Sequence, residues 1–184
     1  KGAALNAALT AATGQGEFIL LLDDDDLLAP NAVLTLVRAL QAHPEWGMAA
    51  CDAWVVDEAG RARDLRPVPE VHPAPALRAL FRGCFLLQPT VMLRRALVRK
   101  AGAFDETLPR LVDYDFWFRA CRLGALGPVH LPLASCRRHP GNAPDDARRE
   151  RLRSAAATVL RRARAIPLAE AFPGIEPARA LLER

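Results

Sequence analysis

The sequence has few aromatic residues, and no apolar run is long enough and free enough of charge to span a bilayer. Aromatic residues make up 6% of 184 positions, and no secretory signal pattern is present. A hydrophobic share of 51% beside a charged share of 25% still fits a chain that buries a core, which excludes a wholly disordered protein. We therefore expect one cytoplasmic globular domain, with at most a small appendage.

The sequence also lacks any paired cysteine motif. Its four cysteines are Cys51, Cys84, Cys121 and Cys136, and none stands in a C-x-x-C pair. This spacing gives neither a zinc signature nor a disulfide framework. Buried free thiols in a reducing compartment are the simplest interpretation.

Apolar periodicity predicts helices that alternate with short strands. Predicted helices cover residues 3–13, 31–40, 76–81, 94–101, 114–123 and 148–165, and predicted strands cover 17–22, 48–56, 87–93 and 129–136. The last strand contains Pro132, which favours a position near a sheet edge, and the Pro-rich segment 66–75 is expected to be irregular. The alternation predicts an α/β fold with a largely parallel sheet, whose ligands lie beyond the carboxyl ends of its strands.

Four consecutive carboxylates, Asp23 to Asp26, directly follow the first predicted strand. Crowded carboxylates repel one another and need a cation or wide solvation to stay ionised, and hard oxygen ligands suit Mg²⁺ or Mn²⁺. If the strand alternation continues, Asp23 and Asp25 share a face. From these residues alone, a solvated loop with a helix-capping acid is about as plausible as a metal site.

Two further groups of residues have candidate chemistry. Asp113 and Asp115 flank the start of a predicted helix, where one carboxylate suits a cap and the other a general base facing a pocket. His139 follows the last predicted strand, next to Arg137 and Arg138, whose charges would suit a diphosphate. A lone histidine is more often structural, so neither group is decisive by itself.

Taken together and in this order, the motifs resemble the large bacterial family 2 of inverting glycosyltransferases with the GT-A fold. The resemblance rests on Lys1-Gly2-Ala3-Ala4-Leu5-Asn6, on Leu22-Asp23-Asp24-Asp25-Asp26, on Gly102-Ala103-Phe104-Asp105-Glu106 with Asp113-Tyr114-Asp115-Phe116-Trp117, and on Arg137-Arg138-His139-Pro140-Gly141-Asn142. It implies a Rossmann-like GT-A nucleotide-diphospho-sugar transferase fold, with a mostly parallel central sheet flanked by helices and a C-terminal helical tail. It covers residues 1–142 as a partial transferase domain and leaves 143–184 as an Arg-rich tail.

The resemblance also implies a mechanism and a set of roles. A sugar would pass, with inversion, from a nucleotide-diphosphate sugar to a hydroxyl of a glycan or lipid-linked acceptor, with Mg²⁺ or Mn²⁺ bound. Asp113 would be the catalytic base, and Asp25 and His139 the metal ligands. The residues expected to contact the donor are Lys1, Asn6, Asp23, Arg137 and Arg138. Bacterial cell-surface polysaccharide or glycolipid synthesis is the implied setting.

The sequence departs from the family pattern in two places. The family opens with a strand and a Pro-Thr-Tyr-Asn type turn at the nucleotide base, whereas this chain starts without Met in a helical pattern, so we expect a piece of a longer protein that lacks the first strand or strands. The family often has Glu-Asp where this chain has Val112-Asp113.

Other functions compete with this hypothesis. From Ala147 onward arginine outnumbers the acids, which suits either a solvated helix face or peripheral association with an anionic membrane at its inner face. One alternative is an inactive transferase-like binding domain whose basic tail associates with membranes or nucleic acid. Another is a hydrolase with paired carboxylates. The order of the three motifs favours the transferase, for which no nucleic-acid partner is expected.

Overall fold

The computed structural model describes residues 1–12, 16–71, 76–138 and 146–167. Within the last motif, residues 139–142 lie outside the described residues, as do residues 143–145 and the tail from residue 168. The helices are α1 (Gly2–Ala11), α2 (Ala32–Ala42), α3 (Ala76–Leu80), α4 (Arg95–Ala101), α5 (Val112–Leu123) and α6 (Asp146–Ala163). The strands are β1 (Phe18–Leu20), β2 (Leu27–Leu28), β3 (Trp46–Val56), β4 (Ala62–Arg66), β5 (Val91–Arg94) and β6 (Ala125–Arg137), with a 3-10 turn at Gln88–Thr90.

The predicted α/β class is confirmed, but the sheet is mixed rather than mostly parallel. Its order is β1-β5-β3-β6-β2, with β4 paired to β3 beside this path. Only β3 and β6 pair in parallel among the described strands, and the other four pairings are antiparallel. The expectation was wrong here because β5 pairs antiparallel with both β1 and β3, and the two unpredicted short strands, β2 and β4, also pair antiparallel with their neighbours. Apolar alternation does not indicate the direction in which strands pair.

Three strands nevertheless point the same way. β1 and β3 each pair antiparallel with β5, so they share a direction, and β6 runs parallel to β3. The carboxyl ends of β1, β3 and β6 therefore meet at one end of the sheet. The 3-10 turn that precedes β5 lies at this end as well, because β5 runs the opposite way.

Strand β6 is longer than its apolar pattern predicts, and both of its prolines, Pro128 and Pro132, lie outside the β2 pairing. Only Ala134 and Ser135 pair with β2. Opposite β3 the register shifts twice around Asp52, which faces Pro132. Such irregularities accommodate a residue that cannot donate to the ladder. The predicted position near an edge is confirmed for this part of the strand.

The core lies on both faces of the sheet. Along β3, Met48 and Ala50 pack into one apolar cluster with helices α3 to α6, whereas Ala49 and Cys51 pack into a second cluster with α2. This alternation follows from the two-residue period of a strand that is covered on both sides. Trp117 is fully buried in the larger cluster, so it packs in the core and does not face a ligand.

Helix α6, the first part of the predicted tail, packs against the same core. Val159, Ala163 and Ile166 are buried in the cluster that contains α5. Arg162 bonds both Asp105, at 2.6 Å, and Asp115, at 3.2 Å. The helix is therefore held by apolar contacts and by one arginine that bridges two carboxylates. In the part of the chain that the structure describes, none of the helices combines the length and the apolarity needed to cross a bilayer.

Candidate functional site

The acid run forms a turn at the end of β1 and does not continue the strand. β1 ends at Leu20, and the Asp26 N–H donates to the Asp23 carbonyl at 3.2 Å. Strand alternation therefore does not decide which carboxylates share a face. The turn brings the run to the end of the sheet where β3 and β6 also finish.

Both carboxylate oxygens of Asp23 already accept hydrogen bonds. Lys1 Nζ lies 2.7 Å from Oδ2, and Gln88 Nε2 lies 2.7 Å from Oδ1. The Gln88 side chain belongs to a residue that is only 4% exposed, and its Oε1 is buried without a hydrogen-bond partner among the described residues. A buried acceptor of this kind costs free energy unless a donor reaches it, and the bond to Asp23 keeps the amide in this position.

Asp26 and Arg137 join the acid run to the end of β6. The Arg137 N–H donates to Asp26 Oδ1 at 2.9 Å. Burial raises the pKa of Asp26, the Arg137 N–H opposes that rise, and the charges of Asp25 and Asp23 add to it. Asp23 and Asp25 thus add negative charge beside Asp26, whose affinity for a proton is already increased. Such a concentration of negative charge stabilises a bound cation.

The Arg137 guanidinium is engaged by the backbone. It donates to the carbonyls of Asp25 at 3.0 Å and Glu58 at 2.7 Å, with a longer contact of 3.3 Å to Asp57. These bonds fix the orientation of the guanidinium, which also lines the cavity described below, so diphosphate binding by Arg137 stays a prediction. Arg138 is exposed beside it.

One open cavity of about 610 Å³ collects most of the predicted site residues. Lys1, Asp23, Asp25, Asp113 and Arg138 all contribute to its wall. The complete lining consists of Lys1, Asp23, Asp24, Asp25, Asp26, Leu87, Gln88, Pro89, Arg110, Asp113, Cys136, Arg137 and Arg138. We call it the acid cavity. Residues 88 positions apart in sequence, Asp25 and Asp113, thus face one space.

The structure separates the two aspartates at the start of α5. Asp115 is buried and is bound by Arg119 Nε at 3.1 Å and by Arg162 at 3.2 Å, so its role is structural. Asp113 is partly exposed in the acid cavity, and its Oδ1 accepts the Tyr114 N–H at 2.9 Å. Of the pair, Asp113 is the one that faces a ligand space, where the amino end of a helix favours its charge.

Asn6 is not brought to the acid cavity. Its Nδ2 donates to the Phe104 carbonyl at 2.9 Å and to Glu106 Oε1 at 2.8 Å, and its Oδ1 accepts the Phe104 N–H at 2.8 Å. This exchange fastens α1 to the segment before α5. The amide thus stabilises the fold, and the expected donor contact does not fit this position.

Two residues of the acid cavity were missed by the sequence reasoning. Gln88 stands at the start of the 3-10 turn, and Arg110 lies just before α5. Neither belongs to a charged cluster or a spacing pattern. The direction of β5 brings Gln88 to this end of the sheet, so only the topology could have revealed it.

A metal site is not complete within the described residues. No group of three or more His, Cys, Asp or Glu side chains is arranged there to hold a metal ion. His139, the predicted third ligand, lies outside them. The donor set at hand is therefore a run of carboxylates that line the acid cavity, among which Asp23 accepts hydrogen bonds from Lys1 and Gln88.

Solved structures with a similar fold define the class of the protein. S. aureus TarS matches with a TM-score of 0.56 and 19% identity over 86% of this chain and 27% of its own. Glucosyl-3-phosphoglycerate synthase from Mycobacterium tuberculosis, solved in complex with Mn²⁺, UDP-glucose and phosphoglyceric acid, matches with a TM-score of 0.52 and 22% identity over 91% of this chain and 56% of its own. The fold is that of the GT-A glycosyltransferases.

Sequence comparison places the chain within that class. The profile of glycosyl transferase family 2 matches residues 1–100, and the chain belongs to this family. The uncharacterized protein y4gI of Sinorhizobium fredii is 32% identical over 143 residues, which are 76% of this chain and 15% of that protein. An uncharacterized glycosyltransferase of Rickettsia typhi is 28% identical over 147 residues, 75% of this chain and 44% of the relative. The chain thus spans less than half the length of these two relatives.

Proposed function

We propose that this protein transfers a sugar from a nucleotide-diphosphate sugar to an acceptor hydroxyl, with inversion at the anomeric carbon. The observation that carries the proposal is the acid cavity, in which Asp113 faces the same space as the Asp23–Asp26 run. Such a displacement needs a base for the acceptor hydroxyl and charged groups that stabilise the leaving diphosphate. The acid cavity brings candidates for both to one space. Membership of glycosyl transferase family 2 supports a transferase rather than a hydrolase or a binding domain.

The donor diphosphate would lie against the basic side chains of the cavity. Lys1, Arg110 and Arg138 line it, and Lys1 is held by Asp23 at 2.7 Å. A lysine presents a mobile point charge, whereas arginine can hold two phosphate oxygens at once. The Gln88 amide would hold Asp23 in position beside the donor. These groups would orient the donor with its anomeric carbon toward Asp113.

A divalent metal, Mg²⁺ or Mn²⁺, fits the chemistry of the acid run. Asp25, which lines the acid cavity, is the proposed direct ligand, with His139 as its companion. The oxygens of Asp23 accept hydrogen bonds from Lys1 and Gln88. Asp23 would then support the site from behind. When bound, the metal would supply Lewis-acid stabilisation of the diphosphate leaving group. The synthase from Mycobacterium tuberculosis that shares the fold was crystallised with Mn²⁺ and a UDP-sugar.

Asp113 would act as the general base. Its carboxylate would accept the proton of the acceptor hydroxyl while that oxygen bonds to the anomeric carbon. An alcohol proton is not removed beforehand at neutral pH, so the position of the hydroxyl matters as much as the basicity of the carboxylate. Helix α5 is well suited to hold Asp113 in place because its next residues, Tyr114 to Phe118, are buried.

We propose a role in bacterial cell-surface polysaccharide or glycolipid synthesis, with the protein in the cytoplasm at or near the inner face of the membrane. The exposed arginines of α6, including Arg151 and Arg153, suit contact with anionic lipid. No nucleic acid is proposed as a partner.

A nucleotide-sugar screen of the full-length protein tests the proposal directly. Binding to the folded state raises the apparent melting temperature, so each nucleotide sugar is compared with and without Mn²⁺ by thermal shift. We expect a rise for one donor class that requires the metal. If no nucleotide sugar shifts the transition in either condition, the assignment of the acid cavity as a donor site is wrong.

A further inference from the structure

A second cavity, of about 680 Å³, adjoins the acid cavity. It lies between β4, the loop that follows it, and the segment after α3. Its lining consists of Val55, Asp64, Leu65, Arg66, Pro67, Pro69, Ala79, Arg82, Gly83, Cys84, Phe85, Leu87, Cys136 and Arg138. We call it the arginine cavity.

The charged residues of the arginine cavity are mainly basic. Three arginines, Arg66, Arg82 and Arg138, line it, against the single carboxylate of Asp64. Arg66 lies 2.9 Å from Asp64, which leaves the charges of Arg82 and Arg138 in excess. Both of these residues are exposed, so their guanidinium groups can reach a ligand without giving up a buried contact.

The two cavities share a wall. Leu87, Cys136 and Arg138 line both of them. Asp113 lines the acid cavity on the other side of this shared wall. A compound that extends from the arginine cavity past this wall would reach the space that Asp113 lines.

We infer that the arginine cavity receives the acceptor and that this acceptor carries an oxyanion group, a phosphate or a carboxylate. The inference rests on the proposed function, because it assumes that Asp113 serves the acceptor hydroxyl. Guanidinium groups bind oxyanions through paired hydrogen bonds, and the apolar residues Leu65, Phe85 and Leu87 cover the carbon skeleton. A neutral acceptor would gain no charge-assisted hydrogen bond from Arg82 or Arg138.

Binding of matched sugars tests the inference in the full-length protein. The probes are glucose, glucuronate and glucose 6-phosphate, measured by calorimetry with the acid cavity saturated by a nucleoside diphosphate and Mn²⁺. We expect both anions to bind and glucose to bind at least ten-fold more weakly, since hydrogen bonds to charged groups are worth roughly this factor or more. Vesicles of phosphatidylglycerol that displace glucose 6-phosphate would place the anion on a lipid-linked acceptor.

Variants separate this site from the donor site. Arg82→Gln and Arg66→Gln change residues that line the arginine cavity alone, whereas Arg99→Gln, exposed on α4, is the matched control. We expect Arg82→Gln to weaken anion binding about ten-fold while the thermal shift by the nucleotide sugar is retained. Glucose binding as tightly as the two anions, or unchanged anion binding in both variants, would overturn the inference. If no nucleotide sugar raises the melting temperature of the unmodified protein, the proposed function itself is refuted.

Discussion

Asp26 and Arg137 lie 111 positions apart in sequence and are joined by a hydrogen bond of 2.9 Å between the Arg137 N–H and Asp26 Oδ1. The bond fixes the acid run to the end of β6, while the Arg137 side chain reaches the carbonyls of Asp25 and Glu58. The acid turn is therefore held in shape by backbone and side-chain groups of a neighbouring strand, and Asp25 is presented to the acid cavity from a fixed loop.

Replacement of Asp113 by asparagine tests the general base. The amide keeps the size of the side chain and can still accept the Tyr114 N–H, so the fold and donor binding should be retained. Transfer should fall by about 10² to 10⁴-fold, the usual contribution of a general base. Donor binding is measured by thermal shift and transfer by release of the nucleoside diphosphate. Transfer within a few-fold of the unmodified protein would contradict the role.

Replacement of Asp25 by alanine tests the metal site. Metal-dependent binding of the nucleotide sugar should be lost, because Asp25 is the proposed direct ligand. Glu150→Ala serves as the control, since Glu150 is exposed on α6 and lies 3.8 Å from Arg153. The measurement is a titration of Mn²⁺ at a fixed donor concentration. If the Mn²⁺ titration curve of Asp25→Ala is unchanged, Asp25 is not a metal ligand.

Arg162 should stabilise the protein through its two carboxylate partners. Arg162→Met keeps the aliphatic stem but removes the charge that binds Asp105 and Asp115, and Asp115 is only 7% exposed. We expect a loss of about 1–3 kcal/mol, above the value for an exposed pair because a buried carboxylate loses a partner. Urea unfolding of the single variants and of Arg162→Met with Asp105→Asn gives the coupling energy. Strict additivity would show that the Arg162–Asp105 pair contributes nothing.

The same region gives a prediction for pH. Hydrogen bonds from the Thr107 hydroxyl, then Arg162, lower the pKa of Asp105 from 3.8 to about 2. The folded state thus binds this proton less readily than the unfolded state, so the stability from Asp105 is present above pH 4 and is lost as the pH falls toward 2. The stability difference between the unmodified protein and Asp105→Asn should shrink over that range. A constant difference would mean that Asp105 does not titrate there.

Any side chain at Gly127, in β6, should destabilise the protein. Gly127 is buried, and a Cβ atom at this position would overlap the ring of Trp46. Gly127→Ala must displace that ring, which stacks on His43 at 3.9 Å, and should cost about 1–3 kcal/mol. Gly16→Ala is the control, because its Cβ would meet only ordinary contacts. Equal stability of both variants by thermal unfolding would contradict the crowding.

Much of the fold followed from local patterns in the sequence, whereas the site followed only in part. Helices such as α2 and α5 were predicted within a few residues because their apolar faces repeat every turn. β4 was missed because all five of its residues are exposed, so its sequence shows no alternation of apolar and polar residues. A strand of this kind is defined by its partner β3, which no local pattern describes.

The candidate site shows the same division. Asp25 and Asp113 could be selected from the sequence because each stands in a charged motif at the end of an element. The structural roles of Asn6 and Arg137 could not, since their bonds reach residues about 80 to 110 positions away. Gln88 was missed for a related reason. Its buried amide bonds Asp23, and the two residues meet only because β5 runs antiparallel to β1.

Arg138 belongs to the wall between the two cavities, and that position has a thermodynamic consequence. A guanidinium drawn toward an anion on one side is withdrawn from the other, so the two bound substrates should alter each other's affinity. By linkage the factor must be identical in both directions, whichever substrate binds first. Occupancy of one cavity would then change the dissociation constant measured for the other, through the side chain of Arg138 alone.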